Sequence, residues 1–123
     1  MCSIFGVLDI KTDVKALRQQ ALQLSKLLRH RGPDWSGVWN NDHAILVHER
    51  LAIVDTENGA QPLINDNRNH ILAVNGEIYN HRTLRQNLEI RGHRFATHCD
   101  TEAIVHLYEE KGPRVVEELR GMF

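Results

Sequence analysis

The chain places a cysteine directly behind Met1 and then runs straight into an apolar stretch from Ser3 to Ile10. A short apolar run bounded by turn formers reads as a strand. A strand there ties the start of the chain into a sheet and holds Cys2 at its edge, so the fold has to be organised around its own N-terminus. If Met1 is removed, Cys2 carries a thiol and a free α-amino group on one carbon. The thiol is a nucleophile only as thiolate, and an α-amino group titrates at about 7.7–8.0, within reach of neutral pH. A nucleophile served by an N-terminal amine as base is an established arrangement in acyl transfer. Taken alone, Cys2 reads as well as a small residue that stands at position 2 by chance, and the rest of the chain has to decide.

Asp13 offers an N-cap, and Val14, Leu17, Ala21, Leu24 and Leu28 recur at three- and four-residue spacing. That is the apolar stripe of an amphipathic helix, ending at Arg31-Gly32-Pro33. Arg31 to Gly37 is turn-rich and leads through Val38 and Trp39 to a strand-like run from Ala44 to Val54. Alternation predicts Ile45, Val47, Leu51 and Ile53 on one face of this run, with His48 and Arg50 on the other. An arginine in such a run needs a partner: a neighbouring carboxylate such as Glu49 or Asp55, or one that arrives with a substrate. Asp55 to Leu63 is a polar connection, and Ile71 to Val74 is a third strand-like run that stops at Asn75-Gly76-Glu77.

Asn-Gly is a strong hairpin signal. The same pair also offers the Asn75 amide and the Gly76 N–H as two donors for one developing negative oxygen. Asn80 is placed to cap a helix carrying Leu84 and Leu88 and closing at Gly92, and His93 to Thr97 reads as a short strand. Asp100 begins a helix with Ile104, Leu107 and Tyr108 inward, where an N-cap is the ordinary role of Asp. A last amphipathic segment covers Pro113 to Arg120, and the chain stops on Phe123 without a polar tail, which reads as a cut.

At 123 residues, with 41% hydrophobic and 25% charged residues, the chain has the make-up of one globular domain or part of one. A net charge of −1 gives no general attraction to nucleic acid or to an anionic membrane. No apolar run approaches the ~20 residues of a membrane-spanning helix, and no secretory signal opens the chain. Two cysteines, Cys2 and Cys99, do not make a disulfide framework, and a reducing cytoplasm is the simplest location. Eight histidines invite a metal reading, but the spacing does not support one. After His48-Glu49 the second zinc-ligand position is Ala52, and His93 and His98 lie five apart with no accompanying cysteine pair. The expectation is therefore no metal site. Nor is there a glycine-rich phosphate loop.

Together, Cys2 with its amine, the Asn75–Gly76 donors, the Arg50 cation and the Glu77 and Asp100 anions suit amide hydrolysis of an amino-acid zwitterion through a thioester. Met1-Cys2-Ser3-Ile4-Phe5-Gly6, Arg29-His30-Arg31-Gly32-Pro33-Asp34, His48 to Asp55, Asn75-Gly76-Glu77-Ile78-Tyr79-Asn80 and Asp100-Thr101-Glu102 follow one another in order. In these five motifs the chain resembles the N-terminal glutaminase domain of glutamine-hydrolysing asparagine synthetases of the bacterial B type. More broadly, it is similar to class II glutamine amidotransferases.

The resemblance implies an α+β fold of the N-terminal-nucleophile hydrolase type, an α-β-β-α sandwich of antiparallel sheets incomplete at its C-terminus. Residues 1–123 would be a partial glutaminase domain, with the synthetase domain absent from this chain. Cys2 would attack the glutamine side-chain amide, its α-amino group would handle the proton through water, and Asn75 and Gly76 would stabilise the oxyanion. Arg50 would bind the substrate carboxylate, Glu77 and Asp100 would meet its ammonium and side chain, and Leu51, Ala52, Ile53 and Val54 would wall the pocket.

The partners implied are glutamine and, in full-length relatives, a synthetase domain in cis that uses ATP and magnesium on aspartate; a homodimer is allowed. No cofactor is implied in this chain itself. Because the family domain continues past Phe123, unpaired sheet edges are expected to leave these residues marginally stable and weakly active on their own. The alternatives are another class II amidotransferase, serving purine or amino-sugar synthesis, and a catalytically silent remnant that acts by binding a partner.

Overall fold

Turn residues cut the chain into short strands and three helices. The computed structural model describes residues 1–123. In chain order the elements are β1 (Ser3–Leu8), α1 (Val14–Ser25) continued by a 3₁₀ turn (Lys26–Leu28), β2 (Trp35–Asn40), β3 (Ala44–Arg50), β4 (Leu63–Ile64), β5 (Ile71–Leu72) and β6 (Glu77–Ile78). Then come α2 (His81–Ile90), α3 (Glu102–Lys111), a 3₁₀ segment (Gly112–Glu117) and β7 (Gly121–Met122). Every strand pair is antiparallel, in sheets ordered β1-β3-β2, β4-β5 and β6-β7, as the α+β reading expects. The chain divides into two units. One is Met1–Ala52, Ala60–Pro62 and Ala73–Asn75; the other is Ile53–Gly59, Leu63–Leu72 and Gly76–Phe123.

In the first unit β3 is central, and its Ile45 and Val47 are fully buried with Ile10 and Ala21. Phe5 and Val7 from β1, Val14, Leu17 and Leu22 from α1, and Val38 from β2 close around them. β1 ends earlier than expected because Asp9 adopts φ 56°, which turns the chain out of the sheet. The Asp13 side chain caps α1 by accepting the Lys15 N–H at 3.1 Å. The predicted stripe fails at Leu24, which is 41% exposed. There it is Ser25 that faces inward, because its hydroxyl donates to the Glu49 carboxylate at 2.6 Å.

β2 starts at Trp35, inside the stretch read as a loop, since β3 is paired along its whole length up to Trp35↔Arg50. Gly37 within it lies so close to the Gln61 carbonyl that a Cβ would overlap it. At the other end, β3 stops at Arg50 and does not continue to Val54. The next two amides are used elsewhere: Leu51 N–H points to the Cys2 sulfur and Ala52 N–H to the Asp34 carboxylate. Ile53 accordingly does not join the Ile45 face and is 56% exposed.

In the second unit, α2 buries Leu84 and Leu88 and stops before Gly92, whose φ of 99° is open to glycine at little cost. Asn80 sits at the cap position without capping. Its side chain instead holds the Glu118 carbonyl and the Arg120 N–H, the approach to β7. Ile104 and Leu107 of α3 are buried as expected, whereas Tyr108 is half-exposed. No strand forms over His93 to Thr97, because the Ala96 and Thr97 amides donate to the Glu102 carboxylate. The last segment, expected as an amphipathic helix, is 3₁₀, with Val115 and Leu119 buried.

Asn75-Gly76 is not a hairpin turn. The runs on either side pair with other strands, β5 with β4 and β6 with β7, and neither residue has the positive φ that a type I′ turn requires. No helix is long and apolar enough to cross a membrane.

Gly32 packs against the backbone between Glu49 and Arg50 with no room for a Cβ. Gly32→Ala is expected to lower the unfolding free energy by about 1–3 kcal/mol, the usual cost of overpacking. Urea denaturation of the two proteins checks this, and an unchanged midpoint would contradict the packing.

Candidate active site

The register of β1 on β3, with Ser3 opposite Glu49, brings Cys2 to the end of an edge strand, beside the residues that follow Arg50. The Cys2 sulfur lies against the Leu51 peptide, 3.3 Å from its N–H nitrogen, which donates to it, and 3.5 Å from its carbonyl oxygen. Cys2 is half-buried and unpaired with Cys99; both thiols are free.

The loop that joins α1 to β2 holds this pair in place. Arg31 Nε donates to the Cys2 carbonyl at 3.2 Å. Asp34 N–H donates to the Arg50 carbonyl at 3.0 Å, and the Asp34 carboxylate accepts the Ala52 N–H at 2.9 Å. The Arg31-Gly32-Pro33-Asp34 motif is thus a clamp: its charged ends fix backbone on both sides of the thiol, and its glycine allows the approach.

Arg50 is buried at 6% exposure. Beside it, both oxygens of the Glu49 carboxylate accept hydroxyl hydrogen bonds, from Ser25 and from Ser36. On the opposite side of the strand, His48 is fully buried; its Nε2 lies 3.0 Å from the Val74 carbonyl, and its Nδ1 has no partner. The Gln61 side-chain oxygen accepts the Val74 N–H at 2.7 Å. The peptide immediately before Asn75 is therefore held at both its polar groups. Neither His48 as an anchor nor Gln61 was singled out from the sequence; the available signal was the unusual polarity of the His48-Glu49-Arg50 run inside an apolar strand.

The first unit carries Cys2, Arg50, Leu51, Ala52 and Asn75, and the second carries Ile53, Val54, Gly76, Glu77 and Asp100. Within the first, Cys2 and Leu51 are brought into direct contact. Within the second, the Asp100 carboxylate accepts the N–H of Ile78, the residue after Glu77, at 2.7 Å. Asp100 is buried and is not a helix cap: Thr101 occupies that position. Gly76 is packed against Met122 and Phe123 so closely that a Cβ would overlap the Met122 carbonyl. A cavity of about 360 Å³ between β5 and α3, bordered by His70, Leu72, Ile104 and Tyr108, contains none of these residues.

A nucleophile-bearing N-terminus on an edge strand, followed by these ordered motifs, places the chain in a class. The family described as glutamine amidotransferase domain matches residues 1–123, the whole chain, and the chain belongs to that family. It is 60% identical over 123 residues to asparagine synthetase B [glutamine-hydrolyzing] of Escherichia coli K12. It is 53% identical over 124 residues to a probable asparagine synthetase [glutamine-hydrolyzing] of Dictyostelium discoideum, and 49% identical to an asparagine synthetase [glutamine-hydrolyzing] of Brassica oleracea. In each case all of this chain is covered, but it spans only 21–22% of the relative's length.

Burial pushes the His48 imidazole below its ordinary value and the Arg50 cation adds to this, against the hydrogen bond to Val74 and the Glu49 charge. The folded state keeps His48 neutral where the unfolded chain takes up a proton. Stability from this residue is complete above its unfolded value of 6.5 and is lost as pH falls toward the depressed folded value. Denaturation profiles from about pH 7 to 5 should be flatter for His48→Gln than for the parent chain. Parallel profiles would show that His48 titrates normally.

Proposed function

We propose that this chain hydrolyses the side-chain amide of glutamine through a thioester on Cys2. The observation that carries the reading is the Cys2 sulfur held against the Leu51 peptide, one residue beyond the buried Arg50. With Met1 removed, the thiol proton passes through water to the Cys2 α-amino group as sulfur attacks the amide carbon. Asn75 and the Gly76 N–H stabilise the oxyanion; one such donor is worth about 10²–10³ in rate. The amine returns the proton to the departing nitrogen, ammonia leaves, and water then cleaves the thioester to glutamate and free thiol. Arg50 binds the substrate carboxylate, for which its planar fork is better shaped than an ammonium. Glu77 and Asp100 take the substrate ammonium and side chain, and Leu51 to Val54 form the pocket wall. These hydrolytic steps need no cofactor.

Residues 1–123 act in this reading as part of a glutaminase domain, with the rest of a longer protein using the ammonia. The relatives' names support asparagine as the product, and the resemblance supports aspartate, ATP and magnesium as what that remainder takes. The reaction belongs in the cytoplasm, where the thiol stays reduced, and self-association into a homodimer is compatible with it.

Cys2→Ala should lower glutamate release from glutamine by at least about 10³-fold. Equal rates for variant and parent would end the proposal, as would mass spectrometry showing Met1 retained in active protein, since Met1 acylates the amine the reaction uses. Arg50→Lys should raise KM for glutamine far more than it lowers kcat. An unchanged KM would remove Arg50 from substrate binding.

A further inference from the structure

The second unit contains a group of metal-ligating side chains that plays no part in the glutaminase reaction. His93 follows Gly92 at the end of α2, and His106 and Glu109 stand one turn apart on α3. One ligand atom from each lies within 4.8 Å of the others. Glu109 Oε2 is 3.3 Å from His93 Nδ1 and 3.6 Å from His106 Nδ1, so both imidazoles approach the same carboxylate oxygen. The His106 side chain is only 3% exposed, yet neither of its ring nitrogens has a hydrogen-bond partner. A buried polar group left in that state is costly.

The separations suit an ion better than a hydrogen bond. A tetrahedral zinc with bonds of about 2.0–2.1 Å holds neighbouring ligand atoms about 3.4 Å apart, and 3.3 and 3.6 Å bracket that edge. The outer groups are also arranged as metal-bound histidines need. A ligating imidazole presents its other nitrogen to a carboxylate that fixes its tautomer. His93 Nε2 lies 2.8 Å from Glu110 Oε1, and His106 Nε2 lies 3.6 Å from Glu102 Oε1. These carboxylates are themselves held, Glu110 by Arg91 and Glu102 by the Ala96 and Thr97 amides. Glu109 Oε1 accepts from Asn65, leaving Oε2 turned to the histidines.

We propose that His93 Nδ1, His106 Nδ1 and Glu109 Oε2 bind one divalent transition-metal ion of the zinc class, with a fourth position for water. Two imidazoles and one carboxylate suit zinc, cobalt(II) or nickel(II) better than magnesium or calcium, which take all-oxygen sites. The ion ties the end of α2 to the middle of α3 and stabilises the folded state by mass action. No pattern within a short window announces it: twelve residues separate the two histidines, and His98, the nearer candidate, is not a member.

The test uses the metal-stripped chain carrying Cys2→Ala, so that neither the N-terminal thiol nor the glutaminase reaction enters. Cobalt(II) titration should give the visible absorption of a tetrahedral ion saturating at one per chain, abolished by added zinc. His93→Ala and Glu109→Gln, neither of them deep in the core, should each weaken binding by roughly 10- to 100-fold or more. Zinc should raise the thermal midpoint of the Cys2→Ala chain and leave that of the Cys2→Ala/His93→Ala chain unmoved.

No saturable absorption, or equal affinity in the His93 and Glu109 variants, would overturn the site. So would nitrogen NMR showing both His106 ring nitrogens protonated with one equivalent of zinc present. That result would mean an imidazolium held between Glu102 and Glu109 in place of an ion.

Discussion

The first unit depends on the Glu49 carboxylate. It lies at 1% exposure in the central strand and accepts from Ser25 at the end of α1 and from Ser36 in β2. A carboxylate taken out of water needs such partners or it destabilises the fold, and this pair joins helix and sheet through one side chain. The consequence reaches the thiol: Ser25 fixes where α1 ends, that end sets where the Arg31–Asp34 loop begins, and the loop clamps the backbone beside Cys2. Gly32 lets the loop come down onto the Glu49–Arg50 peptide. Removing the Glu49 charge would therefore be felt at Cys2 without any direct contact between them.

This coupling explains which parts of the fold could be read from the residues. Where one apolar face meets one core, period and capping were enough: β1, α1 with its Asp13 cap, and the Ile45–Val47 face were legible, as was Cys2 at the edge of a sheet. The errors lie where side chains take over backbone hydrogen bonding. Glu102 absorbs the amides that a strand over His93 to Thr97 would have used, and Asp34 and the Cys2 sulfur absorb those that would have extended β3. Asn80 sits at a cap position but is used to hold the approach to β7, an element that its two residues, Gly121 and Met122, do not announce.

The candidate site shows the same division. Its chemistry-bearing residue types were visible because few other roles suit a cysteine behind Met1 or an arginine at the end of an apolar strand. Its anchors were not: His48 and Gln61 hold the Val74 peptide from two directions, and only their side-chain reach across the fold makes them a pair. A residue that positions another through the backbone leaves no local pattern, so sequence reading finds the acting groups before their supports.

Asp100 shows that the choice posed for it in sequence terms, helix cap or substrate ligand, was too narrow. It is not the cap, and its Oδ2 accepts the Ile78 N–H at 2.7 Å, which fixes the strand that begins with Glu77. That bond does not use up the carboxylate, because two oxygens offer about four acceptor positions. A carboxylate fixed by a main-chain donor is held in one orientation before any ligand arrives, and that rigidity is what a loop-built site otherwise lacks. Ordering β6 and receiving an ammonium therefore do not compete for the same lone pair. In this unit the structural bond is the condition under which a ligand role for Asp100 would be strong.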